Sequence, residues 1–441
     1  MKTLSRLKRE RCKSPLGDLG VQQVGWWHYL MSILLFILPF ISIYPQDSLS
    51  HYLEVAAMNN PALKMSYSEY AAALERVPQA SSLPDPEIQF GYFIRPMEFT
   101  MGNQVADIRF MQMFPWFGTL KAAKDEASQM AIADFEKFMD AKNQLNYEVK
   151  KSYYEVYLTK EEMEIAQQNI ELLKSVEQLA LISFKTSEPA SVKNADNGMV
   201  NLLRVQIEIN LLENSIDLLA DELTTKKAEF NRYLNRPVDA EVFIPDTLDA
   251  NFSPPLLPVL ENNFENHPVI KMLRADSAAN AASVVMARRM GYPMAGIGVD
   301  YGIMKRRDEM TPGEDMIMPM VSFTIPIYRK KYRASKREAG IRHDAAIYSI
   351  QNAKNELLVS YQQAFQELID AERRIKLYTL QSELAGRSIN LLTSSFSAAG
   401  NDYGEILRMQ QQLLDFRFSF VKAVVDKHTA LAQLAYLSGN Q

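Results

Sequence analysis

Five histidines, His28, His51, His267, His343 and His428, are the first metal-ligand and general-base candidates in this chain of 441 residues. They lie far apart, and none forms a zinc-spaced pair. Cys12 is the only cysteine, so thiol chemistry has a single place to sit. There is no phosphate loop and no nucleophile elbow. Gly296-Ile-Gly298 could belong to a dinucleotide fingerprint, but it sits inside an alternating strand pattern, where thin side chains on one face explain it better. Methionine is abundant at 22 residues, and Met111, Met113, Met316, Met318 and Met320 fall on or beside candidate strands. Thioethers favour soft cations such as Cu(I). Flexible packing is the other use of methionine, and it is favoured because no Met-x-x-Met cluster stands in an exposed loop. The pattern speaks against an enzyme and calls for no cofactor.

The elements that carry these residues are strands and rods. From Val105 to Phe114, Ile108, Phe110 and Phe114 alternate with Asp107, Arg109 and Met111, the period of a sheet with two unlike faces. Pro115-Trp116-Phe117-Gly118 ends the strand, since proline lacks the amide donor. Beyond Lys121 no proline or glycine occurs until Pro189, and apolar residues recur at three and four from Phe135 through Val149, Val156, Ile170 and Val176 to Phe184. This predicts a coiled-coil seam over many heptads and a helix roughly 90 Å long.

The start of the chain reads as a targeting segment. Arg6, Lys8, Arg9, Arg11 and Lys13 precede an apolar run from Leu30 to Tyr44. The run is short for a membrane helix and suits a signal peptide over residues 1–46, with cleavage between Ile43 and Ser48. A retained anchor and a start at Met31 are the alternatives. Removing 1–46 takes away six basic and two acidic side chains, moving the net charge from −5 to about −9. On that overall balance nothing basic stands out in the remainder, and no nucleic-acid partner is expected.

The remainder, 47–441, reads as two tandem repeats, about 52–235 and 258–438. Asn59-Asn60-Pro61 is echoed by Asn266-His267-Pro268, and Leu203-Arg204-Val205-Gln206 by Leu407-Arg408-Met409-Gln410, an offset of about 205 residues. The first half has a strand from Pro84-Asp85-Pro86 with Ile88, Phe90, Tyr92 and Ile94 on one face, then a turn over Pro96 to Gly102 before the strand from Val105. A tip over Glu188 to Gly198 leads to a helix from about Met199 to Leu234, with Val200, Leu203, Ile207, Leu211, Leu218, Phe230 and Leu234 on its predicted seam. In the second half Ile297, Val299, Tyr301 and Ile303 oppose Gly296, Gly298, Asp300 and Gly302, and Ile317, Val321 and Phe323 oppose Met318, Met320 and Ser322. A second long helix from about Tyr332 to Ser395 turns at Ala398-Ala399-Gly400-Asn401 and returns from Glu405 to Leu437.

Four strands with an apolar face need a cover. No second sheet or globular helix layer is visible, so lipid is the expected cover for Ile297, Val299 and Tyr301, with Asp107, Arg109, Gly298 and Asp300 facing a lumen. In lipid every amide must be paired, so the sheet must close. Four strands cannot do so alone: two copies give eight strands and a plugged interior, three give twelve and an open one. A charge at Gly298 is expected to be tolerated better than one at Val299.

With Ala57-Met-Asn-Asn-Pro61, Pro84-Asp-Pro86, Gln112-Met-Phe-Pro-Trp-Phe-Gly118 and the two Leu-Arg-x-Gln segments in view, the chain resembles the TolC family of outer-membrane efflux proteins over nearly all of 47–441. The resemblance implies a fold that is mainly α with a β-barrel part. Long antiparallel coiled-coil helices form an α-barrel, and four strands per chain build a twelve-stranded barrel as a homotrimer. It implies a passive duct in the cell outer membrane, extending into the periplasm, with a periplasmic adaptor protein and an inner-membrane efflux pump as partners. The exported cargo is left open, a heavy-metal cation duct being the alternative. Family members often carry aspartates at the periplasmic constriction; the matching positions here give Asp402, Glu405 and Arg408 as gate candidates. Glu405 and Arg408 are three apart on a helix and can pair, worth under about 1 kcal/mol when exposed. A periplasmic coiled-coil scaffold or adaptor is the rival class.

Overall fold

The computed structural model describes residues 49–186, 192–252, 261–310, 312–399 and 403–439. Residues 1–46, read above as a signal peptide and including Cys12, lie outside them, as does Asp402. The described residues all belong to one compact unit, Asp47–Gln441.

Two short helices open it, α1 (Leu49–Asn59) and α2 (Pro61–Ser81). The break between them has a local cause. Asn60 adopts extended backbone, and its side chain accepts from the amides of Ala62 and Leu63 at 2.9 and 3.1 Å, with proline at the first helical position. The second half uses the same device before α5 (Pro268–Arg289), with His267 in place of asparagine: its Nδ1 accepts from Val269 N at 3.3 Å.

Strands β1 (Glu87–Phe99), β2 (Gly102–Phe114), β3 (Met294–Lys305) and β4 (Met316–Thr324) form one antiparallel sheet in sequence order. β1 and β2 extend further than the alternation predicts and turn tightly at Gly102, whose φ of +139° suits glycine. Pro96 lies inside β1 and Pro319 inside β4, and these are the two edge strands, where a missing amide breaks no in-chain pairing. The register puts Ile88, Phe110 and Val299 in one row and Phe90, Ile108 and Tyr301 in the next. That face is bare, with Phe90 78 % exposed.

The shafts are α3 (Thr119–Thr186), α4 (Val192–Leu234), α6 (Arg329–Ala399) and α7 (Tyr403–Leu437). α3, with 68 residues, reaches roughly 100 Å. Helix α4 begins seven residues before the expected Met199, so much of the predicted first tip is helical. α3 packs along α4, α5 and α7, and α6 along α7 and α5. Tyr52 of α1 anchors the waist: its ring stands edge-on to Phe230 at 5.1 Å, beside Val149, Tyr153 and Val156, and its hydroxyl accepts from Phe243 N at 3.0 Å. Nearer the tips, Ile170, Leu173 and Val176 of α3 pack against Val205, Ile209 and Leu212 of α4 and Leu407 and Leu414 of α7. Among the described residues no helix is long and apolar enough to cross a membrane.

One expectation is corrected here. On α4 the predicted seam residues Val200, Leu203, Ile207, Leu211 and Leu218 are all exposed, Ile207 at 59 %. Val205, Ile209 and Leu212 are buried instead. The helix carries two apolar stripes, and periodicity alone does not say which one packs within the chain. α6 carries a matching bare stripe, Leu377, Leu380, Leu384 and Leu391, at heptad-like spacing.

Candidate functional site

The residues predicted for a lumen converge on one face of the sheet. Arg109 of β2 stands directly opposite Asp300 of β3. Its Nε and Nη2 both donate to Asp300 Oδ2, at 3.2 and 2.9 Å, and the carboxylate is 11 % exposed. Such a charge-assisted pair fixes the β2–β3 register, since slipping by one residue would send the partners to opposite faces. Asp107 shares the face and lies against Gly91 of β1, where any Cβ would collide with its Oδ1.

Gly298 is also on this face, but it is not permissive. A Cβ there would come within 2.5 Å of the Phe110 carbonyl oxygen and 3.1 Å of Met111 Sδ. Gly296 likewise leaves room for the sulfurs of Met111 and Met113, which both approach Ser322 Oγ at 3.5 Å. The expected tolerance at Gly298 is therefore corrected: the glycines are holes into which methionine folds, the packing use of that residue. Among the described residues no group of three or more histidine, cysteine, aspartate or glutamate side chains is placed to hold a metal ion.

Sequence reasoning passed over Asp315. It accepts from the Tyr301 hydroxyl at 2.5 Å and from Met304 N at 2.9 Å, tying the β3–β4 turn to the end of β3. An aspartate immediately before β4, two residues ahead of the Ile317 that pairs with Tyr301, was the available signal.

At the other end, Arg408 Nη1 donates to Glu405 Oε2 at 2.7 Å, with side chains 67 and 42 % exposed. The echoed Leu-Arg-x-Gln segments prove to be neighbours. Val205 and Leu407 share one apolar cluster, and Gly404 faces Arg204, whose Nη1 is 3.8 Å from where a Cβ would stand. Arg204 thus joins the tip candidates, and the repetition of its motif was the signal for it.

Between the two ends, the titratable groups of the waist are turned inward. Tyr436 donates to Asp140 at 3.1 Å, and burial raises the pKa of both. Burial lowers that of His267, which stands edge-on to the Tyr436 ring at 5.7 Å, and that of His428, whose Nε2 meets the Asp249 carbonyl at 3.1 Å. These histidines cap and bridge.

A sheet with one bare apolar face and shafts of 68 and 71 residues define the class. The chain aligns with the outer-membrane channel OprN (TM-score 0.71, 16 % identity, 89 % of this chain and 90 % of that one). It aligns equally with the open state of the MtrE outer membrane channel of Neisseria gonorrhoeae (0.72, 15 %, 89 % of each) and with the outer membrane protein VceC of Vibrio cholerae (0.68, 14 %, 89 % and 96 %). At these identities the likeness is one of fold, and the fold is that of TolC-like channels. Residues 259–440 match the family described as Outer membrane efflux protein, so the second half carries that family's sequence as well as its shape. No curated protein matches the chain in sequence.

Proposed function

We propose that three copies assemble into a duct through the outer membrane. The strands form a twelve-stranded barrel, and the shafts project into the periplasm to meet an adaptor and an inner-membrane pump. Transport through the duct is passive, the pump supplies the energy, and the chain contributes no catalytic residue. The observation that supports this best is that the chain is unfinished at both levels. The sheet ends in two unpaired edges, β1 and β4, beneath a bare apolar face. The shafts leave heptad stripes uncovered on α4 and α6. Lipid can cover the face only if the sheet closes, and closure needs more chains. A soluble scaffold gains nothing from Phe90, Ile297 and Val321 standing in water.

On this reading Asp107, Arg109 and Asp300 line the bore, and Glu405, Arg408 and Arg204 surround the periplasmic opening. Native mass measurement and crosslinking in mild detergent test the assembly. The expected species is a trimer that conducts ions in planar bilayers; a stable water-soluble monomer overturns the proposal.

A further inference from the structure

The two rims of the sheet differ in charge. At the turn rim, Arg95, Lys305, Arg306 and Arg307 are balanced by Glu98, Asp308, Glu309, Glu314 and Asp315, and Arg307 meets Glu98 at 3.7 Å. At the helix rim Arg288, Arg289, Arg329, Lys330, Lys331, Arg333, Lys336 and Arg337 outnumber the acidic Asp85 and Glu87 at the start of β1. Among the described residues none of these eight has a carboxylate partner.

This rim also holds a cavity of about 320 Å³, where the β2–α3, α5–β3 and β4–α6 junctions meet. Trp116 and Tyr292 stack along it at 5.5 Å and 22°. Arg289 and Lys331 supply charge and Thr119 and Ser335 hydroxyls. Thr119 Oγ1 is buried with no hydrogen-bond partner. Arg289 is held in place by donating to the Phe117 carbonyl at 2.7 Å. Gly118, at φ +80°, makes room for it, since a Cβ would fall 2.9 Å from the guanidinium carbon. Aromatic, cationic and hydroxyl groups therefore line one recess at the helix end of the sheet, between Pro115, next after β2, and Met294, the first residue of β3.

We infer that this cavity binds the phosphodiester headgroup of an acidic glycerophospholipid, with its acyl chains against the apolar face of the sheet. The inference rests on the proposal that the strands lie in a bilayer. A headgroup level is where tryptophan and tyrosine settle, and unpaired lysine and arginine there attract anionic lipid. Guanidinium and ammonium recognise phosphate oxygens, and the exposed Ser335 hydroxyl offers a further donor.

The test is a titration of the purified protein in mild detergent. The probes are dihexanoyl phosphatidylglycerol, dihexanoyl phosphatidylcholine and inorganic phosphate, followed by tryptophan emission and assigned to Trp116 by its loss in Trp116→Phe. The expected result is saturable binding of the phosphatidylglycerol, at least about tenfold weaker binding of the phosphatidylcholine, and no response to phosphate. Lys331→Gln, at an exposed position, should weaken phosphatidylglycerol about fivefold, the effect of one surface cation on an anionic lipid, without altering native mass. Ser335→Leu, which fills the recess, should weaken both lipids. Equal affinity for the two lipids, phosphate binding as tight as lipid, or an unchanged Lys331→Gln each overturns the assignment. The titration is read whatever the oligomeric state, so its failure is distinct from failure of the duct, which native mass reports.

Discussion

The strand end and the tip end of this chain each carry one notable ion pair, and the two are built for opposite purposes. Arg109 and Asp300 meet across adjacent strands, 191 residues apart in sequence, with the carboxylate nearly covered. Glu405 and Arg408 meet within one turn of a single helix, in solvent. The first pair ties together two halves of the chain, so breaking it disturbs register. The second restrains only itself, and a partner can pull it open at little cost. The sheet end reads as the fixed part of the molecule and the tip as the adjustable one.

The severest challenge to this contrast is a charge on a stripe bare in the single chain. Ile207→Glu adds nothing buried to the lone chain, yet it should abolish the trimer seen by native mass, because the stripe would then lie between copies. A normal trimer from this variant would remove the shafts from the assembly. Next in size is Val299→Arg, on the apolar face of β3. It should cost about 2–4 kcal/mol of barrel stability near the midplane. Met318→Arg, opposite Asp300 on the polar face, should be nearly silent. Equal loss of assembled protein from the two variants would sink the assignment of faces.

Asp300→Asn tests the fixed pair directly. Roughly 1–2 kcal/mol should be lost as Arg109 is left without its counter-charge, seen as a lower dissociation temperature of the assembled protein. The smallest structural effect is expected at the tip. Glu405→Ala with Arg408→Ala should leave trimer yield unchanged, a stability change well under about 1 kcal/mol, while raising ion conductance in planar bilayers. Conductance equal to that of the unaltered protein would confine these residues to a turn and docking surface.

Much of this was legible in the residues, for identifiable reasons. The alternation of Gly296 to Ile303 reports a sheet with two unlike faces, because side-chain direction in a strand is locked to parity. The breaks at Asn60-Pro61 and His267-Pro268 report helix starts, because a cap and a first-turn proline act within four residues. What failed were matters that depend on distant atoms. The two stripes of α4 are equivalent by periodicity, and only the positions of α3 and α7 select Val205, Ile209 and Leu212 for burial. Gly298 looks permissive until the Phe110 carbonyl and the Met111 thioether are placed beside it. Pro96 suggests a turn until β1 is seen to be an edge. At the tip the resemblance gave Glu405 and Arg408 but not Arg204, since nothing local announces that the two Leu-Arg-x-Gln segments pack together.

The uncovered stripes of α4 and α6 also bear on how the protein comes into being. A newly made single chain would present Leu203, Ile207, Leu384 and Leu391 to water before any neighbour arrives. Encounter between copies then becomes part of folding, so the yield should depend on the rate of synthesis and on dilution, and measured stability should rise with protein concentration. The same stripes are adhesive toward other unfinished chains, which makes a holding factor in the compartment valuable during the wait.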